Sequence, residues 1–237
     1  MFQLLDEPRP TPLGRESGRF TQAKMKVISA AEKMLGEQSL AGAPLYKIAE
    51  ASGQSNRYAV QYHFGDREGL VDAVFAARAD LIAERRASLF ELARDRGLER
   101  DLSTLLQCIY LPMAEQVDDQ GRHSYIRFVL QYFVRPDADP AVDSRSSPSG
   151  GPAELIYRQL CVTTGLEFPE IAARIYYLGF TVHAALLAGD VNASDPAGSI
   201  AAVLSRLIPL VAATFDRSET SVLMSPGGFT GGAKGVA

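Results

Sequence analysis

The sequence predicts an all-α fold, and three observations carry that prediction. Apolar residues recur at i, i+3, i+4 spacing, as in Ile28, Ala31 and Leu35 or in Leu45, Ile48 and Ala49. Residues that cap helices stand in front of such stripes at Thr21, Asp66 and Asp101. No stretch keeps the period-two alternation of a half-buried strand. At 237 residues, with 46% hydrophobic and 22% charged residues, the chain is long enough to bury a sizeable core.

Residues 1–19 lack apolar periodicity and are broken by Pro8, Pro10 and Pro12, which predicts a disordered arm with Arg9, Arg15 and Arg19 as loose positive charges. Such an arm can reach a phosphate or a minor groove. It has no apolar stretch of the signal-peptide kind, so a cytoplasmic protein with reduced thiols is expected. Cys108 and Cys161 lie far apart in no metal-like spacing and read as free thiols, with a redox sensor as the sharper alternative.

The first helix is expected from Thr21 to Gly36, with Lys24, Lys26 and Lys33 off its apolar stripe. Gly42 and Pro44 then break the chain. From Ala41 to Leu70 the sequence reads as a short helix, a turn at Gly53 suited to a left-handed residue, and a second short helix capped by Ser55 or Asn56. That second helix is predicted to carry Asn56, Arg57, Tyr58, Gln61, Tyr62 and His63 outward, with Ala59, Val60 and Phe64 packing inward. Two short helices set by a tight turn, the second rich in Arg, Asn, Gln and Tyr, form the pattern of a helix-turn-helix. Three helices within about 45 residues, two of them too short to be stable alone, must share one small core.

Asp66 starts a long helix to about Arg96, roughly 45 Å at 1.5 Å per residue, which makes it a lever between head and body. Leu70, Val74, Ala77, Leu81, Ile82, Leu89 and Leu92 mark its buried face, and Asp80, Glu84, Arg85, Arg86, Glu91 and Arg94 its outer side. Asp101 starts the next helix, with Pro112 expected to bend it. A polar turn at residues 118–122 precedes a short aromatic helix from Tyr125 to Val134, with His123 expected to be solvated. A loop over residues 135–152 follows, then a helix from Ala153 to Thr164.

The last two helices, about Pro169 to Ala188 and Pro196 to Asp216, are almost free of charge. From Ile171 to Phe215 only Arg174, Asp190, Asp195 and Arg206 are charged. Ile171, Ile175, Leu178, Val182 and Leu186 make one stripe, and Ile200, Leu204, Leu207 and Val211 another. Helices apolar nearly all round are buried all round. Neither reads as long enough to span a bilayer, so no membrane is expected and a homodimer sealed by a four-helix packing is predicted on those stripes. The alternative is a pair buried within its own monomer. The tail over residues 218–237 is Gly-rich and expected to be flexible.

Residues 1–64 hold eight Lys/Arg against six Asp/Glu, and the remainder sixteen against twenty-two, within a net charge of −4. A mildly basic head on an acidic body suits a head that meets DNA. Ile48-Ala49-Glu50-Ala51 with Gly53 and Ser55, then Tyr62-His63-Phe64 and Asp66-Arg67-Glu68-Gly69-Leu70, make residues 20–75 resemble the TetR family of transcriptional regulators. Over the body the resemblance is one of architecture alone. Three positions depart from the family pattern: Gln54 stands where a valine is common, Gly53 to Phe64 is one residue longer, and Pro44-Leu45 replaces a usual threonine pair.

The resemblance implies a helix-turn-helix head over residues 20–65 and a helical effector-binding and dimerisation domain over 66–217. The implied partners are double-stranded DNA, a second copy of the chain and a small apolar or aromatic effector. Arg57, Asn56 and Gln61 suit guanine or adenine edges; Tyr46, Lys47, Ser55, Tyr58, Tyr62, His63 and Arg67 suit phosphates or the flanks of such a site. An effector pocket would draw on Tyr110, Met113, Tyr125, Phe128, Tyr132, Tyr176, Phe180 and His183, aromatics that serve equally well as core. No cofactor or metal is implied. An enzyme is the least expected reading, since the three histidines fall in no ligand spacing and no P-loop, GxGxxG or GxSxG occurs. A helical interaction module without DNA binding is the nearer alternative.

Overall fold

The structure is a computed structural model that describes residues 3–14, 19–135, 151–190 and 195–215. The described residues are mostly helical: α1 (Gln22–Gln38), α2 (Leu45–Ala51), α3 (Ala59–Phe64), α4 (Arg67–Asp95), α5 (Leu102–Ala114), α6 (Ser124–Phe133), α7 (Pro152–Thr164), α8 (Phe168–Gly189) and α9 (Pro196–Ala213). The expected caps form. Thr21 accepts from Lys24 N, Asp66 from Gly69 N and Asp101 from Thr104 N. The loop expected over 135–152 and the Gly-rich tail fall almost wholly outside the described residues.

Two cores lie side by side. One gathers Val27, Ile28 and Leu35 of α1, Ile48 and Ala49 of α2, Ala59 and Val60 of α3 and Leu70 and Val74 of α4. It also includes Tyr125, Phe128 and Tyr132 of α6. The three small helices therefore do not own a private core; they share one with the body. At Gly36 the backbones of α1 and α6 come so close that a Cβ would lie 3.0 Å from Phe128 N. The second core surrounds α5, whose residues from Thr104 to Ala114 are all buried, with inner faces of α7, α8 and α9 against it. Pro112 lies in the last turn of α5.

Residues 3–14 form a strap along the body rather than the free arm expected from their prolines. Leu5 is buried in the second core, and its N–H donates to Gln107 Oε1 at 2.5 Å. Arg9 N and Thr11 N donate to Glu115 Oε1 and the Glu115 carbonyl. Thr11–Pro12 (β1) pairs in parallel with Gln116–Val117 (β2), a two-residue ladder too short to show any sequence period. Two of the three arginines are not loose, Arg9 pairing with Asp6 and Arg19 with Asp80, while Arg15 lies outside the described residues. Proline removed helical periodicity from this stretch without removing its ability to hydrogen-bond to the body.

Two arginines of α4 also depart from expectation, and a third, Arg78, adds a buried charge. Arg85 and Arg86 belong to the inner side of the helix, and Arg78 is fully buried on its core face. Arg85 reaches both Asp6 at 2.8 Å and Glu115 at 2.9 Å. Burial alone would raise the Asp6 carboxyl, but the Arg85 hydrogen bond, the Glu7 N–H and the nearby positive charges hold it below its ordinary value. Burial pushes the Cys108 thiol up to about 12, and burial with the nearby Glu167 charge also raises that of Cys161.

Candidate nucleic-acid interface

Between α2 and α3 the chain turns through Gly53, whose φ of +74° is left-handed as expected and unfavourable for a side chain. Ser52 Oγ donates to the Ala49 carbonyl, and Gln54 N donates to the same carbonyl. The second helix begins three residues later than Asn56. Asn56 Oδ1 accepts from Tyr58 N at 2.9 Å, an Asx turn that holds Asn56, Arg57 and Tyr58 in the entry to α3 rather than on it. Ala59 and Val60 are buried and Phe64 partly so, as expected.

What remains outside is a set of polar and aromatic side chains. Tyr46, Tyr58 and Tyr62 are 45%, 60% and 81% exposed, values far outside the ordinary range for a core aromatic. Lys47, Ser55, Asn56, Arg57 and Gln61 are exposed as well, and His63 is half-buried. The Arg57 guanidinium stands 5.7 Å from the Tyr46 ring centroid and 5.4 Å from that of Tyr58. This contact joins the first turn of α2 to the entry of α3 in one surface and orders an otherwise floppy side chain. His63 packs edge-on against Tyr62, and Lys24 of α1 lies 6.0 Å from the Phe64 ring. Arg67 differs from the rest: its Nη1 donates to the Leu40 carbonyl at 2.7 Å, so it ties α4 to the loop after α1.

Between α1, α4 and α6 lies a site the sequence does not disclose. Arg78 Nε and Nη2 donate to Glu32 Oε2 and Oε1, both at 2.8 Å. The remaining donors reach the carbonyls of Thr11 and Val117 and Gln116 Oε1, while Ser124 Oγ donates to Glu32 Oε1. One buried ion pair thus ties α1, α4, α6, the strap and β2 together. Nearby, His123 is buried rather than solvated, with Nδ1 2.6 Å from Asp190 Oδ1 at the end of α8. The only sequence signal was a charge inside each apolar stripe, Glu32 between Ile28 and Leu35, and Arg78 between Val74 and Ile82.

The residues proposed for an effector pocket fall into two groups. Tyr125, Phe128 and Tyr132 pack around Phe75 in the first core, with Met113 beside them. Tyr110 is buried in the second core and donates from its hydroxyl to the Ile175 carbonyl at 3.1 Å. His183 is also buried. Tyr176 and Phe180 are half-buried and meet Phe133 edge-on. None of the eight lines either of two cavities, a cleft of 550 Å³ between α8 and α9 and a polar hollow of 80 Å³ near Asp190. The buried aromatics among them interlock and fill their own space as core, whereas Tyr176 and Phe180 belong to neither core.

The stripes assigned to a dimer interface also change role. Ile171, Ile175, Val182, Leu186, Ile200, Leu204 and Val211 are buried within the chain, with Leu178 and Leu207 packed beside them. The alternative of an intramolecular seam holds for these faces. The opposite faces are open: Tyr177, Thr181, Ala184 and Ala188 on α8, and Ala202, Arg206, Leu210 and Ala213 on α9 are exposed. By length and composition α8 (22 residues, mean hydropathy 1.4) and α9 (18 residues, 1.6) are sufficient to cross a membrane, contrary to the reading of both as too short.

Among the described residues no three His, Cys, Asp or Glu side chains gather as metal ligands would. No protein-family model matches the chain, and no curated protein matches it in sequence.

Proposed function

We propose that this protein is a cytoplasmic DNA-binding transcriptional regulator of the TetR kind, acting as a homodimer on a near-palindromic operator and released by a small apolar or aromatic effector. In this reading α1, α2 and α3 are the helix-turn-helix head, α4 the connecting lever, and α5–α9 the body. One observation carries it. The surface of α2, the entry to α3 and α3 itself exposes three tyrosines, Lys47, Asn56, Arg57 and Gln61, while Ile48, Ala49, Ala59 and Val60 of the same segments are buried.

The chemistry supports DNA as the partner. Arg57 and Gln61 offer the bidentate donors and acceptors that read guanine and adenine edges, and Asn56 stands at the same entry. Tyr46, Lys47, Tyr58 and Tyr62 offer hydroxyls and a cation to phosphate oxygens on either side. One head supplies few contacts, so useful affinity calls for two, spaced by about one helical turn of DNA. The open, charge-poor outer faces of α8 and α9 support self-association as the means of pairing them.

For the effector we assign entry to the half-buried trio Phe133, Tyr176 and Phe180, where α6 meets α8. An aromatic ligand parting these rings would act on α6, which packs along α1, and so on the position of the head. A ligand that binds one head spacing more tightly than the other lowers DNA affinity by that difference.

The test is a gel-shift series with DNA flanking the protein's own gene, run across a salt range. Saturable retardation that weakens steeply with salt and survives an excess of unrelated DNA is expected. Retardation abolished equally by any competitor DNA would refute sequence-specific regulation.

A further inference from the structure

The four charges between Ile171 and Phe215 are not used alike. Arg174 is buried, donating from Nε to the Thr214 carbonyl and from Nη1 to the Glu170 carbonyl. Asp190 is held by His123 at 2.6 Å and faces Arg127 at 3.8 Å. Two charges are left. Asp195 caps α9 with Oδ1 and keeps its other oxygen free of that bond, while Arg206, exposed on α9, makes no ion pair among the described residues. Both are exposed, and both border the 550 Å³ cleft between α8 and α9.

Their spacing has a geometric consequence. Eleven residues at 100° each return to the same face of a helix within about 20°, some 16 Å further along its axis. Between them on that face stand Ser199 and Ala202, small residues that allow another helix to approach closely. The face therefore carries a negative end, a shallow middle and a positive end. A second copy laid parallel and in register would set like charge against like. Laid antiparallel about a twofold axis midway, it sets opposite charge against opposite charge twice.

We infer that α9 pairs antiparallel with α9 of a second copy of this chain, in the register that sets Arg206 against the partner's Asp195 and, by symmetry, Asp195 against the partner's Arg206. This rests on the reading that the chain is a homodimer, and it adds the face, direction and register of the contact. The twofold axis falls between residues 200 and 201, with Ser199 opposite the partner's Ala202. Two ion pairs at the ends of an uncharged contact fix register more than they add affinity, because any slip along the axis leaves both guanidinium groups facing uncharged surface.

Cysteine cross-linking in a Cys161→Ser background tests the register, with the mass of the unmodified protein measured by light scattering at micromolar concentration. Ala202→Cys, near the axis, is expected to join two chains through a short bismaleimide linker, and Ala213→Cys is not. Joining through Ala213→Cys overturns the register. A monomeric mass overturns the pairing itself and with it the homodimer reading. Arg206→Glu is expected to raise the dimer dissociation constant about tenfold or more, since it sets two carboxylates together at each end. Mixing Arg206→Glu with Asp195→Lys chains is expected to favour the mixed dimer over either parent, because one end regains a complementary pair and the other keeps its own. An Arg206→Glu dimer as tight as the unmodified one, or a mixture with no preference for the mixed dimer, refutes the ion pairs while leaving dimerisation standing.

Discussion

The α2–α3 surface and the seam between α1, α4 and α6 are each built around an arginine resting on aromatic rings, and the two arginines do opposite things. Arg57 lies between Tyr46 and Tyr58 with its donors turned to solvent. Arg78 lies 5.6 Å from the Tyr125 ring with every N–H engaged, two of its bonds going to Glu32. A guanidinium whose donors are satisfied inside the chain has nothing left for a partner. One ordered by rings alone keeps its planar fork available. The difference separates what the fold uses to hold itself from what it offers outward. It also explains why α1, α2 and α3 are not an independent unit, since the ion pair reaches from α1 to α4, α6 and the strap.

Breaking the buried arginine should have the larger effect. Arg78→Met leaves Glu32 as an uncompensated buried carboxylate and strips donors from the Thr11 and Val117 carbonyls. A loss of about 3–5 kcal/mol in urea-unfolding stability is expected. The double variant with Glu32→Leu removes the stranded charge and should be less destabilised than Arg78→Met alone. If the single and double variants lose the same amount, the pair is not the electrostatic unit its geometry describes.

Removing the exposed arginine should leave the fold alone and alter binding. Arg57→Ala is expected to change unfolding stability by no more than about 0.5 kcal/mol, as for other surface sites. If Arg57 reads a base, specific DNA binding weakens by about 1–3 kcal/mol with relaxed preference at one position of each half-site. A uniform loss across all sequences would instead make it a phosphate contact. Arg57→Lys sharpens the point: it keeps the charge but loses the planar fork, so a base contact is lost and a phosphate contact largely kept.

The sequence disclosed these two regions unequally for a physical reason. Capping and helical spacing are local, so Thr21, Asp66 and Asp101 and the turn at Gly53 could be placed from neighbouring residues. The outward residues of α2 and α3 are legible because exposure follows from not belonging to an apolar stripe. Glu32 and Arg78 lie 46 positions apart, and His123 and Asp190 67 apart. No local pattern says which buried charge answers which. The strap is not legible for the same reason, since Gln107 and Glu115, its anchors, lie more than 100 residues from the strap groups they bind. In α8 and α9 the stripes were found correctly, but a helix apolar on every side does not announce which face meets its own chain.

A third arginine, Arg85, stands between the two extremes and predicts the smallest effect. It is partly buried, paired with Asp6 of the strap and Glu115 at the end of α5. Because the Asp6 carboxyl sits below its ordinary value of 3.8 in the folded chain, folding favours its charged form. Asp6 therefore contributes stability that is complete above the unfolded value and is lost as pH falls through the lowered folded value. Unfolding stability measured from pH 6 downward should fall more steeply below about pH 4 in the unmodified protein than in Asp6→Asn, and the two curves should converge in acid. Hydrogen exchange locates the effect: at pH 6 the amides of Leu5, Arg9 and Thr11 should exchange faster in Asp6→Asn, while those of α2 and α3 remain unchanged. Faster exchange in α2 and α3 as well would mean that the strap steadies the outward surface, drawing Arg57 and Arg78 into one cooperative unit.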